Sequence, residues 1–315
     1  MDEYIFQLNE QVCRTSVQYH NRYGVRLAGD LYHAKNLDKN KRYPALLIGA
    51  PYGGVKEQGP GVYANELAQR GFVVLTFDPS CNGYSGGRPR HIASPDLFVE
   101  DFHAGVDFLG TRDFVDPEKI GVIGICGSGG FALSAAQVDT RIKAVATVSM
   151  VDISQAAKMG PEGSLTSAQW YEMLRPLNQQ RYQDFLEPQP ALAPRGYAIQ
   201  VEENKEPLNR EFAEFYWTQR GYHPNSIATF TATSTMSFMN FSLLGHLQRI
   251  SPRPILLIVG EQALSRFFSD EVYQQAAEPK ELYVVPCCNH VDLYDRTDKI
   301  PFDKLEGFFK QYLDK

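Results

Sequence analysis

Apolar residues in this chain gather in short continuous runs: "ALLIGA" from Ala45, "FVVLTF" from Phe72, "IGVIGI" from Ile120, "KAVATVS" from Lys143, "PILLIV" from Pro254 and "ELYVVP" from Glu281. A strand with one wet face alternates apolar and polar positions, whereas a strand covered on both faces is apolar throughout. The runs therefore predict a mostly parallel sheet flanked by helices, an α/β architecture. Ahead of them "GVRLAGDLY" from Gly24 alternates around a glycine, which predicts an antiparallel edge strand paired with the stretch Val17 to Tyr19. Helical spacing predicts crossover helices over 61–70, 95–110, 129–138, 270–277 and 301–313. In the last of these, Phe302, Leu305, Phe308, Phe309 and Leu313 share one stripe and close the core.

The rhythm stops between "KAVATVS" and "PILLIV". Roughly 100 residues intervene where a crossover needs a dozen or a few more. "TSAQ" at Thr166 is a capping-box pattern ahead of Trp170, Met173, Leu174 and Leu177, and Leu208, Phe212, Phe215 and Tyr216 form a second apolar stripe. A Pro-rich linker from Glu187 separates the two. Residues 1–150 and 251–315 are thus expected to form the core and 151–250 a helical cap inserted over the sheet edge that carries the site. Most cap aromatics are expected to pack the cap onto the body, with Trp170 and Tyr216 as candidates for a pocket wall.

Chemistry concentrates in "GICGSGG", where the run from Ile120 turns straight into a small-residue helix. A small-x-nucleophile-x-small pentapeptide at such a join exposes its central side chain at the positive end of the helix. Two registers satisfy it, centred on Cys126 or on Ser128. A strand ending at Ile125 favours Cys126, and Ser128 is the alternative. A thiol there gains from the helix N-terminus and from a nearby imidazole. The base is expected after the final strand, where "VVPCCNHVDLY" places His290. A carboxylate after the preceding strand would hold its tautomer: Glu261 is the choice, with Asp270 and Asp292 as alternatives. Oxyanion donors are expected from the amide of Gly127 and from the loop "PYGGVKEQGPG", at Tyr52 or Gly53. That loop lacks the spacing of a nucleotide-phosphate cradle.

Composition narrows the partners. With 315 residues, 22% of them charged, and a net charge of -6, the chain has no basic stripe to neutralise phosphates, so a small-molecule acyl substrate is expected and a nucleic acid is not. The acidic start lacks the pattern of a secretory signal, and no apolar run approaches the ~20 residues of a bilayer span, so a cytoplasmic protein without a membrane partner is expected. Cys13, Cys81, Cys126, Cys287 and Cys288 are odd in number and scattered, without CxxC spacing, so we expect reduced thiols, no metal and no cofactor. A homo-oligomer is compatible with all of this.

The segments "NRYGVRLAGDLY", "GGVKEQ", "FDPSCNGYSGGRPR", "GVIGICGSGG", "SPRPILLIVGE" and "NHVDLYDRTDKIPFDKLEGFF" together resemble the α/β-hydrolases, in the bacterial branch related to dienelactone hydrolase and YcjY-like proteins. The resemblance covers nearly the whole chain and implies the α/β-hydrolase fold. It also implies hydrolysis of an ester, thioester or lactone through a Cys-His-acid triad and a covalent acyl-enzyme, and it supports Cys126 and His290 by position. It further places "FDPSCNGYSGG" near the site, making Asp78 and Cys81 pocket candidates. Two other readings share these residues: an acyl transferase with the same triad, and a catalytically weak binding protein of the same fold.

Overall fold

The computed structural model describes residues 4–160 and 163–314. In chain order the strands are β1 (Val12–His20), β2 (Arg26–Ala34), β3 (Tyr43–Gly49), β4 (Val73–Phe77), β5 (Val115–Ile125), β6 (Ile142–Val148), the two-residue pair β7 (Met159–Gly160) and β8 (Gly163–Ser164), β9 (Ile255–Gly260) and β10 (Lys280–Val285). The helices are α1 (Gly59–Gln69), α2 (Pro95–Gly110), α3 (Gly127–Ala136), α4 (Ile153–Ala156), α5 (Ser167–Leu186), α6 (Pro207–Tyr216), α7 (Thr235–Met239), α8 (Arg266–Gln275), α9 (Asp292–Asp295) and α10 (Phe302–Leu313). None of the described helices is long and apolar enough to cross a membrane.

Eight strands form one sheet in the order β1-β2-β4-β3-β5-β6-β9-β10. β2 runs antiparallel to both β1 and β4, and the remaining neighbours are parallel. Val17 pairs with Gly29 and Tyr19 with Leu27, which is the edge ladder expected from the alternation. β2 begins at Arg26 because Gly24, at φ +75°, forms the turn that reverses the chain. The inner strands are buried almost throughout, as continuous apolarity predicts for a sheet covered on both faces. β10 differs. It lies at the sheet edge, and Glu281 and Tyr283 face solvent, so its unbroken apolar run does not mean two covered faces.

From β3 the chain pairs β4 on one side and β5 on the other. In an open α/β sheet, ligands bind outside the carboxyl ends of the strands at such a switch point. The loop after β3 and the turn after β5 flank it.

Residues between β6 and β9 make α4 to α7 and several short turns. The capping box at Thr166 is present: Thr166 Oγ1 accepts from the Gln169 amide at 3.3 Å, and the Thr166 amide donates to Gln169 Oε1 at 2.9 Å. The helix it starts does not pack as its stripe suggests. α5 contains no buried residue, and Trp170, Met173, Leu174 and Leu177 are only half-buried. α6, in contrast, buries Ala213, Phe215 and Tyr216. Phe215 stands edge-on to Tyr294 with ring centroids 5.1 Å apart, and Arg220 pairs with Asp295 at 2.6 Å.

β5 passes into α3 through Cys126 alone, which adopts φ +54° and ψ -122°. Two turns of backbone cross so closely there that a Cβ on Gly124 would run into the Ser128 carbonyl. Backbone cannot yield as a flexible side chain does, so Gly124→Ala is expected to cost about 3 kcal/mol and to lower the urea midpoint at unchanged slope. A midpoint equal to that of the parent protein would show that the crossing has slack.

Candidate active site

Positive φ at a non-glycine residue is strained, and it aims the Cys126 side chain out of the sheet at the N-terminus of α3. The backbone N–H groups of Tyr52 and Gly127 both face Cys126 Sγ and favour its thiolate. Gly127 follows in the chain, and Tyr52 is delivered by a tight turn in which the Gly54 amide bonds the Pro51 carbonyl at 2.7 Å. Of the two loop candidates it is Tyr52 whose amide reaches the sulfur. Gly53, at φ +90°, shapes the turn, and its carbonyl accepts from Ser226 of the segment above at 2.8 Å.

Ser128 is turned away. Its hydroxyl donates to the Ala50 carbonyl at 2.5 Å, tying α3 to the loop that carries Tyr52, and it does not line the cavity into which Cys126 opens. The register centred on Cys126 is thus the one that presents its side chain to open space.

The cavity has a volume of about 380 Å³. Cys126, His290 and Tyr294 form its floor, with Phe212 and Tyr216 from α6 and Phe268 from α8 among its walls. His290, in the loop after β10, is fully buried. Three contacts fix its backbone and ring: its carbonyl accepts from Ser149 Oγ at 2.9 Å, its amide donates to Glu211 Oε2 of α6 at 3.2 Å, and Phe212 lies edge-on to the ring with centroids 5.3 Å apart.

The imidazole partners differ from the expected triad. Nδ1 is 2.5 Å from the Ser265 hydroxyl, and Nε2 is 2.9 Å from the Tyr294 hydroxyl. Tyr294 in turn faces Cys126 Sγ across the cavity floor. Glu261, the expected acid, is exposed at the end of β9 and accepts from the Cys287 amide at 3.0 Å. Asp270 pairs with Arg266 on the outer side of α8, at 3.3 Å. Asp292 accepts from the Asn289 amide and is held by Lys299 and Arg296 at 2.8 and 3.1 Å. None of the three carboxylates bonds the imidazole. The reason is local: the chain turns tightly after Gly260, with the Ala263 amide on its carbonyl, and brings Ser265 to Nδ1.

The other pocket candidates divide. Tyr216 lines the cavity, while Asp78, Cys81 and Trp170 do not. Asp78 accepts from the amides of Lys56 and Tyr84 at 2.9 and 2.8 Å and so holds the loop after β4. Burial, with Glu57 nearby, pushes its carboxyl up to about 7. Cys81, at φ 66°, is buried against Gly87, and burial pushes its thiol up to about 11. Trp170 sits on the unburied α5.

Ser265, Tyr294 and Glu211 are residues of the site that the sequence motifs do not single out. Ser265 lies one residue beyond Ala263 and Leu264, in the loop where an acid is sought. Tyr294 follows His290 by four, a spacing that brings two side chains together when the segment is helical. No local pattern marks Glu211.

Burial raises the Cys126 thiol, against the opposing effect of Tyr294, Tyr52 and Gly127, which favour the thiolate. Burial also lowers His290 to about 4. At neutral pH the resting pair is therefore thiol and neutral imidazole. Below its ordinary value of 6.5 an unfolded chain protonates this histidine while the folded one does not, so the stability carried by the neutral ring is complete above that value and is lost as the pH falls toward 4. Asp78 and Asp101, both raised to about 7, act in the opposite direction. Comparing the protein with His290→Gln cancels them. Between pH 7 and 4.5 the parent protein should lose on the order of 2–3 kcal/mol more unfolding free energy than the variant, measured by urea titration. Equal losses would mean that the ring charges in the folded state.

The family model of the X-Pro dipeptidyl-peptidase (S15 family) matches residues 23–237. An uncharacterized protein of Pseudomonas aeruginosa, PA2218, is 49% identical over 311 residues, covering 98% of this chain and 83% of that one. Its crystal structure superposes with a TM-score of 0.94, covering 98% of this chain and 96% of that one, at 48% identity. The uncharacterized protein YcjY of Escherichia coli is 33% identical over 272 residues, 86% of this chain and 89% of that one. The thiohydrolase aneE of Aspergillus aculeatus is 27% identical over 258 residues, 80% and 77% of the two chains. The α/β hydrolase GrgF from Penicillium sp. sh18 shares the fold, with a TM-score of 0.77 over 96% of this chain and 100% of that one at 20% identity. The sheet, the elbow and these matches together place the chain in the X-Pro dipeptidyl-peptidase (S15) family, with the α/β-hydrolase fold and YcjY-like relatives.

Proposed function

We propose that the protein is an acyl hydrolase that cleaves a thioester or ester of a small apolar acyl group through a thioester on Cys126. One observation carries this reading: Cys126 Sγ sits between the amides of Tyr52 and Gly127 at the floor of an apolar cavity. Donors that now hold the sulfur lie beside the position a carbonyl oxygen takes when that sulfur attacks its carbon. They stabilise the tetrahedral oxyanion in a site with little water to compete. The thiol proton goes to His290, which returns it to the leaving group, and water then hydrolyses the thioester with the same imidazole as base.

The lining argues about substrate. Among the described residues no Asp, Glu, Lys or Arg lines the cavity, so none of them there would pair with the ammonium of a peptide N-terminus. Removal of a dipeptide, the activity in the family's name, needs such a partner, and an amine is also a poorer leaving group than a thiolate. Thioesters suit the site better, and the relative aneE is named a thiohydrolase. The walls are aliphatic and aromatic, which fits an uncharged acyl chain. Acyl transfer is the second reading, favoured by the same apolar enclosure: a bound alcohol or thiol would intercept the acyl group before water does.

Cys126→Ala is expected to lower kcat/KM for a short-chain acyl thioester by about 10³-fold or more, with the urea midpoint little changed. Activity within a few-fold of the parent protein would remove the covalent step from the account. Supplying glycerol or a second thiol during turnover separates the two readings: a hydrolase releases free acid, and a transferase yields the new ester or thioester.

A further inference from the structure

Between the sulfur and the imidazole stands a phenol. Tyr294 Oη is 2.9 Å from His290 Nε2, lines the same cavity as Cys126, whose Sγ it faces, and has the hydroxyl of Tyr216 as a further neighbour. We propose that Tyr294 is the proton relay of this enzyme, so that the thiol is activated by a Cys126–Tyr294–His290 chain whose ring is oriented by Ser265 in place of a carboxylate. The inference rests on reading Cys126 as the nucleophile and specifies how its proton leaves.

Counting hydrogens supports the direction of the chain. A phenol has one donor and two acceptor positions, and Tyr294 has three polar neighbours. If its proton points to Nε2, its lone pairs are free to accept from the thiol and from Tyr216. Nε2 is then bare and Nδ1 carries the hydrogen, which the Ser265 oxygen accepts at 2.5 Å. Tyr294, its three polar neighbours and Nδ1 all find partners in that arrangement, and the imidazole is in the tautomer that can take a proton at Nε2.

The hydroxyl is also fixed in place. Tyr294 is fully buried on α9, its amide bonds the Val291 carbonyl at 3.1 Å, and its ring is held edge-on by Phe215 at 5.1 Å. Its neighbour Asp295 is clamped by Arg220 of the cap at 2.6 Å.

In the step itself the S–H bond of Cys126 breaks as its proton joins Tyr294 Oη, and the Oη–H bond breaks as that proton joins His290 Nε2. The electron pair left on sulfur forms the bond to the acyl carbon, and the carbonyl pair moves to the oxyanion facing the Tyr52 and Gly127 amides. The phenol ends as it began, neutral, with one proton exchanged. Reversing the two transfers protonates the leaving thiolate or alkoxide. Burial makes a free phenolate costly, so the two protons move together.

The test reads the thiol directly. The rate of Cys126 alkylation by iodoacetamide, resolved from the other cysteines by peptide mass, is followed against pH in the parent protein and in Tyr294→Phe. Loss of a donor to the thiolate should move the profile up by about a unit or more. With an acyl thioester, kcat should fall about 10²-fold with little change in KM, and Tyr294→Phe combined with His290→Asn should cost no more than His290→Asn alone. In the parent enzyme, kcat in mixed H2O and D2O should fall along a curve, the mark of two protons in flight, a readout that needs no variant to fold. An unshifted alkylation profile, additive losses, or a linear isotope dependence would overturn the relay. If no acyl group ever reaches Cys126, the hydrolase reading fails, and the alkylation profile still decides whether the hydrogen-bonded chain exists.

Discussion

Cys126 holds φ +54° and ψ -122° because β5 and α3 meet with no other residue between them, and the backbone at Gly124 touches the backbone at Ser128. That one crossing sets the rest of the site. It aims the sulfur at the carboxyl end of the sheet and sends the Gly127 amide toward it. It turns the Ser128 hydroxyl inward onto the Ala50 carbonyl. Through that bond the loop after β3 is drawn in until the Tyr52 amide reaches the same sulfur. Strain at one residue is thus spread over a helix terminus, a strand end and a loop, each buried and each satisfied.

Charge at the site follows from enclosure. Triads that rest as a thiolate–imidazolium pair need an acidic neighbour to hold the cation. Here the imidazole faces a serine and a tyrosine, under Phe212, and burial keeps it neutral. The thiol is likewise kept protonated. Charge develops only when a substrate carbonyl offers the oxyanion site, which limits reaction with solvent-borne electrophiles too poorly shaped to enter. The segment between β6 and β9 contributes to this directly, since Glu211 holds the His290 amide and Arg220 holds the carbonyl of Val291.

The parallel sheet, the elbow and the position of His290 were legible because each leaves a local trace: unbroken apolar runs, small residues around one thiol, a histidine after the last strand. β10 misled because an edge strand that borrows Leu282 and Val284 for one face can still look apolar on both. The stripe on α5 misled for a related reason: helical spacing states which residues share a face and not whether anything covers it. The acid misled most. Glu261 sits at the right strand end, yet the tight turn after Gly260 carries it outward to the Cys287 amide and delivers Ser265 instead. Chain order cannot express that one-turn difference, and a hydroxyl in the place of a carboxylate carries no signature of its own.

The central claim is that an acyl group passes through the sulfur of Cys126. Rapid acid quenching of the enzyme with a short-chain acyl thioester in excess, followed by intact-protein and peptide mass measurement, tests it most directly. The account predicts a mass increase equal to the acyl group, confined to the peptide containing Cys126 and absent from Cys126→Ala. Steady turnover without any adduct there, or an adduct carried by another residue, would contradict it.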